Sequence, residues 1–150
     1  REHVARLGRF AGRAQAAGLR PGFHTHDGEL LPARDGSVLL DLLLRDVPEI
    51  EIELDLGWAW VAGGDPGDVL AELGARCPVA HVKDFADRAD PTSFTAVGEG
   101  GVGFAAALAR APWLEAIVAE QDHAFVPDEL GAARRSTAAL LTLRDGLGGR

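Results

Sequence analysis

The sequence predicts an α/β chain built on four parallel strands, and three observations carry that reading. Helical and strand-type hydrophobic patterns alternate along the whole of the 150 residues. No tight-turn signal such as Asn-Gly joins one strand pattern to the next, so each strand returns through a helical crossover rather than a hairpin. Every expected strand also ends in carboxylate or imidazole side chains, at the end where parallel α/β proteins bind their ligands.

The elements follow in order. Val4, Leu7, Phe10, Ala11, Ala14 and Ala17 recur at helical spacing, and Gly18 is a natural stop. Residues 21–26 read as the first strand. Ser37 is expected to cap a helix through Val38, Leu39, Leu42 and Leu43, which Pro48 ends. Residues 49–55 alternate strictly, with Ile50, Ile52 and Leu54 on one face and Glu51, Glu53 and Asp55 on the other. Asp65-Pro66 opens the next helix, with Asp as cap and Pro at the first helical position, and Gly74 closes it. Residues 78–83 form the third strand, followed by a loop from Asp84 to Gly103 rich in Asp, Pro, Ser and Gly. A short helix from Phe104 to Arg110, a fourth strand at 115–120 and a last helix from Asp128 to Arg144 complete the chain.

Such alternation fits an open doubly wound sheet or part of a (β/α)₈ barrel. A whole barrel needs about 250 residues, so four strands make half of one. No internal linker divides the chain, and residues 1–150 are treated as one unit. The chain opens on Arg1 directly in a helical pattern, with no basic-then-apolar signal segment, and reads as cut from something longer.

Composition narrows the class. Fifteen basic against 23 acidic residues give a net charge of −8, which argues against a grip on nucleic-acid phosphates. Charged residues interrupt every apolar run before the roughly 18 residues that would span a bilayer. Cys77 is the single cysteine, so no internal disulfide can form and a cytoplasmic location is expected. Its place before a strand suits a small buried hydrophobe better than a nucleophile.

The strand ends carry the chemistry. The first delivers His24-Thr25-His26-Asp27-Gly28-Glu29, the second Asp55 before Gly57-Trp58, the third His81-Val82-Lys83-Asp84, and the fourth Glu120-Gln121-Asp122-His123. Each has a plain structural explanation as well. Asp27, Asp84 and Asp122 suit helix caps or turn closures; Trp58 and Trp60 suit packing; Glu51 and Glu53 suit a solvated face. The set Glu29, Asp55, His81 and Glu120 is harder to ascribe to coincidence. Carboxylates with a neutral imidazole suit one divalent cation such as Mn²⁺, Mg²⁺, Co²⁺ or Zn²⁺. Such a cation polarises a carbonyl so that a nearby carboxylate can take the proton from the adjacent carbon. That is enediolate chemistry: isomerisation, epimerisation or dehydration. Lys83 shares the face of His81 and could hold a substrate oxygen or pair with a ligand carboxylate. No P-loop, dinucleotide-binding glycine motif, serine nucleophile elbow or CxxC pair is present. The glycine-rich run from Gly98 to Gly103 lacks the lysine of a P-loop and reads as a mobile loop beside the site.

At these stretches the sequence resembles the sugar phosphate isomerase/epimerase family, the xylose-isomerase-like TIM barrels. The resemblance rests on Gly22-Phe23-His24-Thr25-His26-Asp27-Gly28-Glu29-Leu30, Glu53-Leu54-Asp55-Leu56-Gly57-Trp58-Ala59, His81-Val82-Lys83-Asp84, Val97-Gly98-Glu99-Gly100 and Val118-Ala119-Glu120-Gln121-Asp122. It implies the family's C-terminal half, strands five to eight, with a metal held by Asp55, His81, Glu120 and a fourth ligand. That fourth role falls on Glu29, with His24 or His26 as substitutes, and the acid/base pair on Glu29 and Glu120. His24, His26, Trp58 and Lys83 are then substrate-binding, toward a small sugar or polyol. Trp58 stands where some epimerase relatives place a substrate-binding histidine, a departure from the ketohexose epimerase pattern. The resemblance also implies a need for an N-terminal half-barrel or a second copy, since two sheet edges and an inner apolar layer are otherwise exposed. An inactive half-barrel serving as an interaction module, and an apurinic-site endonuclease-like hydrolase, are the competing functions.

Overall fold

A computed structural model describes residues 2–122 and 128–148. The chain runs α1 (Glu2–Ala16), β1 (Gly22–His24), α2 (Asp27–Leu30), α3 (Leu39–Asp46), β2 (Glu51–Asp55), α4 (Leu56–Val61) and α5 (Pro66–Leu73). After a 3₁₀ turn at Gly74–Arg76 come β3 (Val79–Val82), β4 (Asp84–Phe85), β5 (Phe94–Thr95), α6 (Phe104–Ala109), β6 (Ala116–Ala119) and α7 (Glu129–Leu147). The four main strands form one parallel sheet in the order β1-β2-β3-β6. Among the described residues no helix is long and apolar enough to cross a membrane.

The register sorts the side chains onto two faces. Paired residues point the same way, so Phe23, Ile52, Leu54, Ala80 and Ile117 share the face toward the helices. There Ile52, Leu54, Ala80 and Val82 are buried with Leu40 and Leu43 of α3, Leu70 and Leu73 of α5, and Leu108 of α6. Each buried leucine contributes about 1.5–3 kcal/mol relative to exposure. His24, Glu53, Asp55, His81 and Val118 share the opposite, concave face. Curvature brings the outermost strands together across it: His24 of β1 lies 3.5 Å from Glu120, just past β6. At the other end Arg20 donates to Glu51 at 2.9 Å and, in a fork, to Glu115 at 2.8 and 2.9 Å.

Several expectations change here. The concave layer is polar rather than apolar, because its strand positions carry Glu51, Glu53, Asp55, His81 and Lys83. The leucines of α3 are covered by the chain's own helices and sheet: Leu40 and Leu43 are buried, and Leu39, Leu42 and Leu44 pack against them. Ser37 does not cap α3; its hydroxyl and its N–H both donate to Asp35, at 2.6 and 3.0 Å, closing a local turn instead. The Asp84–Gly103 stretch read as a loop contains the short antiparallel pair β4–β5. Asp65 caps α5 as expected, accepting from the Asp68 N–H at 3.0 Å ahead of Pro66.

Candidate metal centre

Four strands deliver one donor each to a single point. His24 ends β1, Asp55 ends β2, His81 lies in β3, and Glu120 follows β6. The two-residue period of a strand aims all four at the concave face, and the parallel register holds their ends level. One ligand atom from each lies within 4.8 Å of the others. The His81 ring bridges two carboxylates, with Nδ1 against Glu120 Oε2 and Nε2 2.6 Å from Glu53 Oε1. The His24 and His81 rings are 4.2 Å apart between centroids.

Asp55 is wholly buried, and its two oxygens have different surroundings. Oδ1 accepts the Trp58 N–H at 2.9 Å and so caps α4. Oδ2 has no hydrogen-bond partner, only an ion pair with the Lys83 ammonium, and neither ring nitrogen of His24 has a hydrogen-bond partner. Unsatisfied buried acceptors and imidazole nitrogens are costly unless something else meets them. Burial, and then the neighbouring His81, lower the His24 imidazole and favour its neutral, ligand-competent form. Burial pushes the Asp55 carboxyl above its ordinary range, against the opposing pull of Lys83 and the Trp58 N–H. Burial alone would also raise Glu120, yet hydrogen bonds from Lys83 and His81 outweigh it and hold its carboxyl at about 2.

Lys83 lies beneath this group and is 1% exposed. Its ammonium meets Asp122 Oδ2 at 2.8 Å, Glu120 Oε1 at 3.0 Å and Asp55 Oδ2 at 3.2 Å, and sits 5.1 Å from the Trp58 ring centroid. Burial alone would lower it; the three carboxylates, Asp122 foremost, outweigh that and raise it. The donor set of two imidazoles and two carboxylates, with unpartnered buried atoms among them, fits a divalent cation of intermediate hardness.

The residues named from sequence divide accordingly. Asp55, His81 and Glu120 come together, and His24 joins them. Glu29 does not: its Oε2 accepts the His26 N–H at 2.7 Å and closes the first turn of α2, so the helix's own start has captured it. His26 stands at the mouth, half exposed, with its ring edge-on to His24 at 4.9 Å. Trp58 forms an aromatic wall with Phe85 and Phe94, at 5.1 and 6.0 Å, and its buried Nε1 is unpartnered. Asp122 and Glu53, which the sequence suits to a cap and a solvated face, each hold a site side chain instead, Lys83 and His81 respectively. The signal for both was spacing, since Glu53 precedes Asp55 and Asp122 follows Glu120 by two residues, on the same face. His123 lies outside the described residues.

No protein-family model matches the chain, and no curated protein matches it. Solved structures do. The chain is similar to a sugar phosphate isomerase/epimerase from Parabacteroides distasonis, at 19% identity and a TM-score of 0.72, over 91% of this chain and 52% of that one. A D-tagatose 3-epimerase-like protein gives 17% identity and a TM-score of 0.67, over 95% and 54%. A probable 3-DHS dehydratase of petrobactin synthesis from Bacillus anthracis gives 17% identity and 0.69, over 91% and 55%. At these identities the likeness is one of fold. The chain spans about half the length of the structures it matches, and its four parallel strands with their helices form a half-barrel of the TIM-barrel type.

Proposed function

We propose that the chain carries the metal-binding and proton-transferring half of a divalent-metal-dependent isomerase, epimerase or dehydratase acting on a sugar or polyol. The convergence of His24, Asp55, His81 and Glu120 within 4.8 Å, with buried donor atoms lacking partners, carries this reading. The names of the structures that share the fold support the same class of reaction. The protein's relation to a second half-barrel, as a preceding segment or a separate chain, belongs to the same proposal.

His24, Asp55, His81 and Glu120 would hold the cation, which supplies electrophilic polarisation of a substrate carbonyl when bound. The chain's own residues do the rest. Glu120 is kept ionised by Lys83 and His81, so it is ready to accept a proton from the carbon beside that carbonyl. Glu53, 2.6 Å from His81 Nε2, would hold that N–H and orient the ring so that its other nitrogen is left for the cation. Glu29 would reach substrate only after leaving the His26 N–H, and we assign proton transfer to Glu120 ahead of it. Trp58, with His26 beside it, offers a sugar an apolar face.

Titration with Mn²⁺, followed by loss of the free-ion EPR signal, tests the proposal. Wild type is expected to bind one ion, and His81→Ala at least about a hundredfold more weakly, because a ligand and the bridge between Glu53 and Glu120 go together. Equal affinity in the two proteins would remove the metal site and the mechanism built on it.

A further inference from the structure

Lys83 is an ammonium 1% exposed inside a sheet face that should receive a cation from outside. An ammonium has three N–H donors. Three carboxylates surround it at 2.8, 3.0 and 3.2 Å, so its charge is directed to them rather than to a substrate oxygen. Glu120 shows the consequence: Oε1 is taken by Lys83, which turns Oε2 toward His81 and His24. Asp55 is fixed from two sides, by the Trp58 N–H on Oδ1 and by Lys83 beside Oδ2. The Trp58 ring lies over the ammonium and shields it.

We propose that Lys83 is the resident cation of the site: a positioning residue whose charge lets the carboxylates assemble and stay oriented before any metal ion arrives. This rests on the metal-site reading for its purpose but not for its physics. Without a counter-charge, Asp55, Glu120, Asp122 and Glu53 would repel one another within a part-buried space. With it, the metal-free chain keeps the same geometry, and the incoming ion finds ligands already aimed. Of the two roles the sequence leaves open for Lys83, this takes pairing with the ligand carboxylates in place of holding a substrate oxygen.

Thermal unfolding of the full chain, in EDTA and in 1 mM Mn²⁺, tests this with Lys83→Met, Asp122→Asn and the double variant. In EDTA, Lys83→Met is expected to melt about 10 °C below wild type. Mn²⁺ should raise its midpoint more than it raises that of wild type, since the ion now supplies the only cation. Adding Asp122→Asn to Lys83→Met should recover part of the loss, because a carboxylate leaves with its ammonium; a lysine that serves only to fill space would show no such coupling. If Lys83→Met is unfolded in both conditions, the double variant decides: a folded protein supports the proposal and an unfolded one overturns it. Equal midpoints for Lys83→Met and wild type in EDTA also overturn it. A wild type indifferent to Mn²⁺ would end the metal-site reading alone, leaving the EDTA comparison to judge Lys83.

Discussion

A side chain at position 57 would have to enter space already held by backbone. A Cβ built on Gly57 lies 2.1 Å from the Lys83 carbonyl oxygen and 2.9 Å from the Phe85 ring. The glycine lets α4 lie against the end of β3, which brings Trp58 over Lys83. Gly57→Ala is therefore expected to cost about 3 kcal/mol in urea unfolding and to weaken Mn²⁺ binding with it; an unchanged midpoint would mean α4 shifts freely. Cys77 makes a second residue-scale case. It is fully buried, donates to the Val79 carbonyl at 3.2 Å, and burial pushes its thiol up to about 11. At pH 8 the native protein should leave a thiol-disulfide reagent unconsumed, and denaturant should release one reactive thiol; rapid native labelling would contradict the packing. The sequence showed Asp55, His81 and Glu120 because polar residues at the ends of otherwise apolar strands are conspicuous. The sequence names Glu29 ahead of His24, whereas His24 joins the cluster and Glu29 closes the start of α2, because a local capping hydrogen bond decides where a flexible Glu points and spacing does not record it.

Elements anchor the site through Asp84, the residue after Lys83. Its Oδ1 accepts from the Phe85 and Val102 N–H groups at 3.0 and 3.3 Å, and its Oδ2 from Gly98 and Gly100 at 2.8 and 3.0 Å. Ser136 of α7 accepts the Val97 N–H at 3.0 Å. The glycine-rich run expected to be a mobile loop is thus strapped to β4 and α7. A Cβ on Gly100 would lie 2.3 Å from Asp84 Oδ1, so the strap also needs its glycine. Asp84→Asn keeps one acceptor oxygen and turns an NH₂ toward the N–H groups on the other side. It should destabilise by about 2–3 kcal/mol and speed hydrogen exchange at residues 98–102 while sparing β1 and β2. Uniform protection across variant and wild type would deny Asp84 that role. Long periodic elements were legible in the sequence: α1, α5, α7 and all four main strands stand where hydrophobic period and caps put them. α2, α4 and β4–β5 were not, for a common reason. They span two to six residues, too few to display a period, and they are defined by local caps accepted by Asp55 and Glu29 and by longer-range hydrogen bonds accepted by Asp84.

At the scale of the molecule, the half-barrel's unfinished features are its edges. β1 and β6 each pair on one side only among the described residues, while Arg20 and Lys83 pair with carboxylates of the sheet between them. Beside β6 runs an apolar groove of about 470 Å³, lined by Leu108, Ile117, Leu140, Leu141 and Leu147. Exposed edge strands invite pairing with another chain, and an apolar groove alongside one strengthens the invitation. The structures of like fold are about twice as long. Alone, the 150-residue chain is expected to associate through these edges, with a sedimentation mass that rises across the micromolar range. The leucines of α3 are not part of that surface, since the chain covers them itself. Backbone geometry supplies a pointed control. Ala116 and Glu120 donate their N–H groups inward, to Pro78 and Val82 of the neighbouring segment. Alternation along a parallel strand then turns the N–H groups of Ile117 and Ala119 toward the open edge. Ala119→Pro removes one of those donors without touching the β3 ladder, and proline on an edge blocks further pairing. The variant should keep wild-type circular dichroism yet sediment as a monomer over the same range. Concentration-independent mass for wild type, or undiminished association in Ala119→Pro, would show that the open edges are not what the isolated half-barrel uses to find a partner.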